Sequence, residues 1–229
     1  MGCRSLEEMK QKIGKMMTGL LLEWFKKYGR DYPWRKETDP YRILIAEIML
    51  QRTKADQVIQ VYQLFLQRFP SIYALAAATL EELEGIFDML GLRWRAKKVK
   101  DLAKVIVSQH GGRIPSSREE LLSLPGVGEY IADAVLCFAY GMDIAVVDAN
   151  VCRVIGRVFG IEPRGEARRD PRFRQIAQQL IPSKRAREFN WAIIDLAALT
   201  CTPRNPKCYE CPLQELCSFN KLVKCKPTT

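Results

Sequence analysis

The chain has 229 residues, of which 48% are hydrophobic, and a formal net charge of +10 with a pI near 9.3. That much apolar residue suffices for one large domain or two compact lobes and excludes disorder as the default. The charge points to an anionic partner, nucleic acid or an acidic membrane surface alike, and on charge alone a merely soluble basic protein is as good a reading. No apolar run approaches the roughly 18 residues that cross a bilayer. Lys10, Lys12 and Lys15 also interrupt the N-terminal apolar residues, so no signal-peptide core forms. The expectation is a soluble, intracellular protein with no membrane partner.

Strand signals are nearly absent, and apolar residues recur at three- and four-residue spacing along the chain. Leu20, Leu21, Trp24 and Phe25 form the first such face. Residues 30–40, rich in charge and proline, read as an ordered loop. A second face opens over 41–50 and continues past Thr53 through Val58, Val61, Leu64 and Phe65. Further helices are predicted over 72–77, 80–90, 96–109, 118–122, 130–138, 149–158, 172–180 and 189–199. Phe69-Pro70-Ser71, Gly111-Gly112 and Pro125-Gly126 break them, and 162–171 reads as a charged surface connection. The fold class is therefore all-α.

Leu124-Pro125-Gly126-Val127-Gly128 lies between two helical patterns. Its glycines permit a tight turn with φ > 0, and its backbone N–H groups would coincide with the positive end of the following helix, a geometry suited to a phosphate oxygen. Any helix–turn–helix corner can also need two glycines.

Of the eight cysteines, Cys3, Cys137, Cys152 and Cys225 are scattered, while Cys201, Cys208, Cys211 and Cys217 cluster with spacing C-x6-C-x2-C-x5-C. A clustered quartet in an intracellular chain reads as a metal or cluster site rather than a disulfide framework. A structural zinc site brings two short pairs and here only one pair is short; four thiolates on one loop also suit a [4Fe–4S] cluster. His110, the single histidine, reads as a loop residue, and no Ser–His–Asp arrangement has support.

Leu-Pro-Gly-Val-Gly at 124–128, followed by Val147-Asp148-Ala149-Asn150, resembles the helix-hairpin-helix and Gly-Pro-Asp signature of the endonuclease III superfamily of DNA glycosylases. The similarity runs from Tyr32-Pro33-Trp34-Arg35 through the final cysteine cluster. It is nearest to the archaeal thymine–guanine mismatch DNA glycosylases, with the adenine DNA glycosylases next. The resemblance implies a two-lobed fold with DNA and active site between the lobes. One lobe would span 30–142; the other would be discontinuous, 1–29 with 143–229, and would carry the cluster loop 201–217. It also implies that Cys201, Cys208, Cys211 and Cys217 hold a [4Fe–4S] cluster; the loop carries Arg204 and Lys207, with Lys221 and Lys224 farther on, and its expected task is presenting cations to DNA.

Cleaving an N-glycosidic bond builds positive charge on the sugar, so a carboxylate is needed near C1′. Asp148 is the first candidate, although an aspartate just ahead of a helix is also an ordinary cap; in the resembled superfamily the matching residue does both. Glu47 interrupts the apolar run 43–50. A glutamate in such a helix is more often near a rim, but Ala46-Glu47-Ile48-Met49-Leu50-Gln51 resembles the monofunctional members, which use that glutamate in base or water chemistry. Bifunctional members carry a lysine two residues after the second hairpin glycine. Here Tyr130 stands there, and a tyrosine forms no Schiff base. It is either a packing aromatic or a wall of the pocket for the flipped base.

By the same resemblance, Gly126, Val127 and Gly128 hold a phosphate and Gln51 and Arg52 meet the opened duplex, with Arg52 filling the gap. Leu92 wedges beside the widowed base. The basic run 93–98 could track a phosphate strand, or be a solvated helix face. The implied function is monofunctional excision of thymine or uracil opposite guanine in double-stranded DNA, by a monomer that in a prokaryote is cytoplasmic and nucleoid-associated. The alternatives are an adenine glycosylase and a non-catalytic DNA-binding iron–sulfur protein. Against the first stand Tyr130, Leu92 and the 12 residues after Cys217, too few for a further domain; against the second stands the pairing of Glu47 with Asp148.

Overall fold

The computed structural model describes the backbone of residues 2–224 and the side chains of residues 12–222. Cys3, Lys10, Lys224 and Cys225 lie outside the described side chains. Among the described residues all regular structure is helical: α1 (Gly2–Tyr28), α2 (Pro40–Leu50), α3 (Ala55–Arg68), α4 (Ile72–Ala77), α5 (Leu80–Asp88), α6 (Ala96–His110), α7 (Arg118–Ser123), α8 (Glu129–Phe138), α9 (Ala149–Phe159), α10 (Pro171–Leu180), α11 (Ala186–Leu199) and α12 (Ser218–Lys224). No described helix is long and apolar enough to cross a membrane.

The helices begin where local chemistry tells them to. Asp39-Pro40 and Asp170-Pro171 use one grammar: the carboxylate accepts from the N–H groups of the first turn, and proline occupies the position whose N–H would have no partner. Thr79 and Glu82 close a capping box on α5. Glycines in the left-handed region, Gly111 and Gly160, end α6 and α9. His110 is thus the last residue of a helix and not part of a loop. The two stretches expected to be irregular each hold a single 3-10 turn, Pro33–Arg35 and Ala167–Arg169.

The chain divides into two compact units. The continuous one, Asp31–Gly141, packs α2 against α3 and α8, α6 against α4 and α5, and α7 against α8. Leu44, Met49, Tyr62, Phe65 and Phe87 are fully buried in it. Leu64, predicted on the buried face of α3, is exposed; the inward stripe is Val58, Val61, Tyr62 and Phe65.

The discontinuous unit joins Met1–Arg30 to Met142–Thr229. Here α1 lies along α11, and α9 packs on α10, α11 and α12. Met17, Leu21, Ile155, Phe173, Phe189 and Leu196 form its center. Leu20 is exposed, because each helical residue turns about 100° and the stripe that meets α11 runs through Met17 and Leu21 instead. The seam between the two chain segments carries a buried ion pair. Asp195 on α11, fully buried, accepts from the backbone N–H of Arg30 at 2.8 Å and from its guanidinium at 2.7 Å.

Candidate active site, hairpin and cysteine loop

In the Asp31–Gly141 unit, α7 and α8 meet at the turn 124–128. Gly126 has φ +80°, the conformation expected of it. Gly128 does not: at φ −102° and ψ 179° it is extended, and it serves as the N-terminal cap of α8. A Cβ placed on Gly128 would meet nothing within 4 Å. Neither its backbone nor its packing therefore demands glycine, and the space above it is open. Arg118, at the start of α7, donates to the buried Asp133 of α8 at 2.9 Å and to Glu129 at 3.1 Å. The two helices are thereby clamped at their hairpin, and the acidic first residue of α8 is neutralised.

Tyr130 follows in the first turn of α8 and is half-buried; α8, Glu-Tyr-Ile-Ala-Asp-Ala-Val-Leu-Cys-Phe, contains no lysine. Glu47 lies on α2, which packs on α8, and is 4% exposed. It is far more deeply set than a rim position. Gln51 ends α2, and the exposed Arg52 adopts φ +62°, a left-handed conformation that costs a non-glycine residue about 1 kcal/mol or more. Leu92 is 6% exposed, its N–H donating to the Phe87 carbonyl at 2.9 Å. In this conformation it packs inward, and a wedging role requires the 90–92 turn to release it.

In the discontinuous unit, Asp148 caps α9. Its Oδ1 accepts from the backbone N–H groups of Asn150 and Val151, both at 2.8 Å, and its Oδ2 accepts from the Asn150 side-chain amide at 2.8 Å. The half-buried carboxylate is thus oriented by three donors of its own helix start. Arg153, one turn on, extends the arrangement: it donates to Asn150 Oδ1 at 2.9 Å, to the Cys201 carbonyl at 2.9 Å and to the Ala197 carbonyl at 3.0 Å.

Cys201, Cys208, Cys211 and Cys217 all line one pocket, together with Arg157 and Phe219. Among the described residues no three Cys, His, Asp or Glu side chains close on a point suited to one metal ion. Four cysteines lining one pocket are a ligand set suited to an iron–sulfur cluster. Burial pushes the Cys211 thiol up to about 11, and the other three cysteines push in the same direction. Four thiolates on one pocket would require a cationic group among them, which iron would supply. Arg157 braces the loop, donating to Cys201 Sγ at 3.3 Å and to the Thr202 and Pro203 carbonyls at 2.7 and 3.0 Å. Cys137 and Cys152 are buried core residues; burial raises the Cys152 thiol to about 11, which keeps it unreactive.

Sequence reasoning missed Asn150, Arg153, Arg157 and the Arg118–Asp133 clamp. The signal for the two arginines is their four-residue spacing on α9, which puts both on the face turned to 197–203. The partners of Arg118 become neighbours only when the hairpin closes.

Residues 45–182 match the HhH-GPD superfamily of base excision DNA repair proteins, and residues 201–217 match the iron–sulfur binding domain of endonuclease III. The chain belongs to this superfamily, and its C-terminal loop is that of a [4Fe–4S] cluster. It is similar to a thymine-DNA glycosylase of Aeropyrum pernix, 42% identical over 87% of this chain and 92% of that protein. A thymine/uracil-DNA glycosylase of Methanothermobacter thermautotrophicus is 36% identical over 93% of this chain and 97% of its own length. Among solved structures, a thermostable thymine-DNA glycosylase superposes with a TM-score of 0.88 at 37% identity, covering 92% of this chain and 98% of that one.

Proposed function

We propose that this chain is a monofunctional DNA glycosylase that hydrolyses the N-glycosidic bond of thymine or uracil mispaired with guanine. The observation that carries the reading is the first turn of α8: Tyr130 stands where a Schiff-base lysine would be needed, and no residue of the helix supplies an amine. The names borne by the similar proteins support the choice of base.

In this reading the hairpin N–H groups hold one phosphate, and Gln51 and Arg52 face the opened duplex, with Arg52 filling the space the base leaves. Asp148, fixed by its three donors, sets its negative charge against the cation that develops on the sugar as the bond breaks. Glu47 orients or deprotonates the water, or protonates the departing base, and Tyr130 borders the base. Cys201, Cys208, Cys211 and Cys217 hold the cluster, which supplies four iron–thiolate cross-links that order the loop.

The test is a panel of duplexes containing each mispair, scored for abasic sites by alkali cleavage. Excision of thymine or uracil opposite guanine, with no strand breakage before alkali, is the expected result. Excision confined to adenine, or cleavage without alkali, overturns the reading.

A further inference from the structure

The basic run 93–98 is not used uniformly. Arg93 donates to Glu84 at 2.6 Å and Lys97 lies 3.8 Å from Asp101, so two of its four cations are answered within the unit. Arg95 is buried and donates to the Ile48 carbonyl in the last turn of α2. There a cation also complements the negative end of the helix. Lys98 remains, exposed and with no carboxylate against it among the described residues.

Four residues earlier stands Trp94, 55% exposed. Lys98 Nζ lies 5.7 Å from the center of its ring and the Arg95 guanidinium 4.9 Å from it. The stem of Lys98 runs beside the hairpin: a Cβ on Gly126 would stand 3.7 Å from Lys98 Cβ and 3.8 Å from its Cδ. Indole, ammonium and hairpin turn are therefore one continuous surface of the Asp31–Gly141 unit.

An accessible aromatic face framed by cations is the arrangement that binds nucleic acid strands with little regard to sequence, the bases stacking and the phosphates pairing. We propose that Trp94 and Lys98 form a ledge for the DNA strand that leaves the hairpin. Lys98 pairs with the phosphate next to the one held by the hairpin N–H groups, and Trp94 stacks on a base that the opened duplex leaves unstacked. The proposal rests on the reading of the hairpin as a phosphate site, and it gives the exposed tryptophan a role that the buried Leu92 does not fill in this conformation.

Affinity is measured against salt concentration for a fully paired, undamaged duplex and for the same duplex with one unpaired base, so no step depends on which base is excised. Trp94→Ala is expected to weaken binding to the second duplex roughly 5- to 100-fold, with the salt slope unchanged and Trp94→Phe restoring most of the loss. Lys98→Ala is expected to lower the salt slope by about one on both duplexes. Both side chains are exposed, and unchanged melting temperatures confirm that the fold is kept. Gly128→Ala serves as the separate test of the hairpin. If it weakens binding while the Trp94 and Lys98 variants bind as wild type does, the hairpin reading stands and the ledge is overturned. If none of the three variants changes affinity, both fall.

Discussion

Asn150 grips both oxygens of Asp148, its backbone N–H on Oδ1 and its side-chain amide on Oδ2, each at 2.8 Å. The two backbone donors share Oδ1, so an asparagine at 148 can still cap α9 with its single oxygen. Its NH₂ would then face the Asn150 amide, donor against donor, at a cost of about 1–2 kcal/mol. Asp148→Asn is therefore expected to fold and to bind duplex within a few-fold of wild type, while excision falls by about two orders of magnitude or more. Single-turnover kinetics beside a binding isotherm separate the two effects. Excision at near wild-type rate would make Asp148 a cap and nothing else.

The hairpin glycines give a cleaner experiment apart than together. Gly126, at φ +80°, makes alanine a strained residue, so Gly126→Ala loses about 1 kcal/mol of stability whatever it does to binding. Gly128 is extended with open space above it, and Gly128→Ala leaves the melting temperature unchanged. Its methyl group would nevertheless stand between the backbone and an approaching phosphate. Duplex affinity is expected to drop on every sequence alike; unchanged affinity would make the turn purely structural.

Tyr130→Lys places an amine in the first turn of α8. Desolvation at this half-buried position would lower its pKa toward free amine, and it could then attack C1′ where water acts in the proposed reaction. Borohydride reduces an enzyme–DNA imine to a covalent adduct, so trapping is expected to give none with the wild type and some with the variant. A strong wild-type adduct would reveal another amine as the nucleophile and end the monofunctional assignment.

What was legible in the residues followed from strong local signals. Helix 72–77 is found as expected, and 96–109 is one residue short, because Ser71 and the glycines at 111 and 112 punctuate the chain locally. Helix 189–199 begins three residues early, at Ala186, because Arg185 starts it without a side-chain cap and leaves no signal to read. The extended Gly128 follows from its place as the N-cap of α8, while the inward Leu92 is set by tertiary packing, which no motif encodes. The same holds for Asn150 and Arg153: the bond from Arg153 to the Cys201 carbonyl spans 48 residues of sequence, and only the closed fold shows it.

The cysteine loop predicts four irons per chain after anaerobic purification, with visible absorbance from iron–thiolate bonds. Replacing any one of Cys201, Cys208, Cys211 or Cys217 by alanine is expected to lower iron content and melting temperature together, whereas Cys137→Ala leaves iron unchanged. A single zinc per chain would remove the cluster.

Asp195 and Arg30 close the seam of the discontinuous unit. Asp195→Asn removes the negative charge from a fully buried site against the Arg30 guanidinium, which is a quarter exposed, and the expected loss is about 1–3 kcal/mol, read by urea denaturation. A loss under 1 kcal/mol would mean that Arg30 finds water instead.

That seam also sets the order in which the molecule can be made. On the ribosome α1 emerges first, with Met17 and Leu21 ready for a partner, yet α11 lies more than 150 residues downstream. The Asp31–Gly141 unit has all its pieces long before then and can close while synthesis continues. The first helix must therefore wait with its apolar stripe uncovered until the last part of the chain arrives, a target for chaperones throughout. Asp148 and the cysteine loop belong to the late-completed unit, so a nascent chain can hold a finished hairpin, with Glu47 already set in α2, well before Asp148 has its helix to cap.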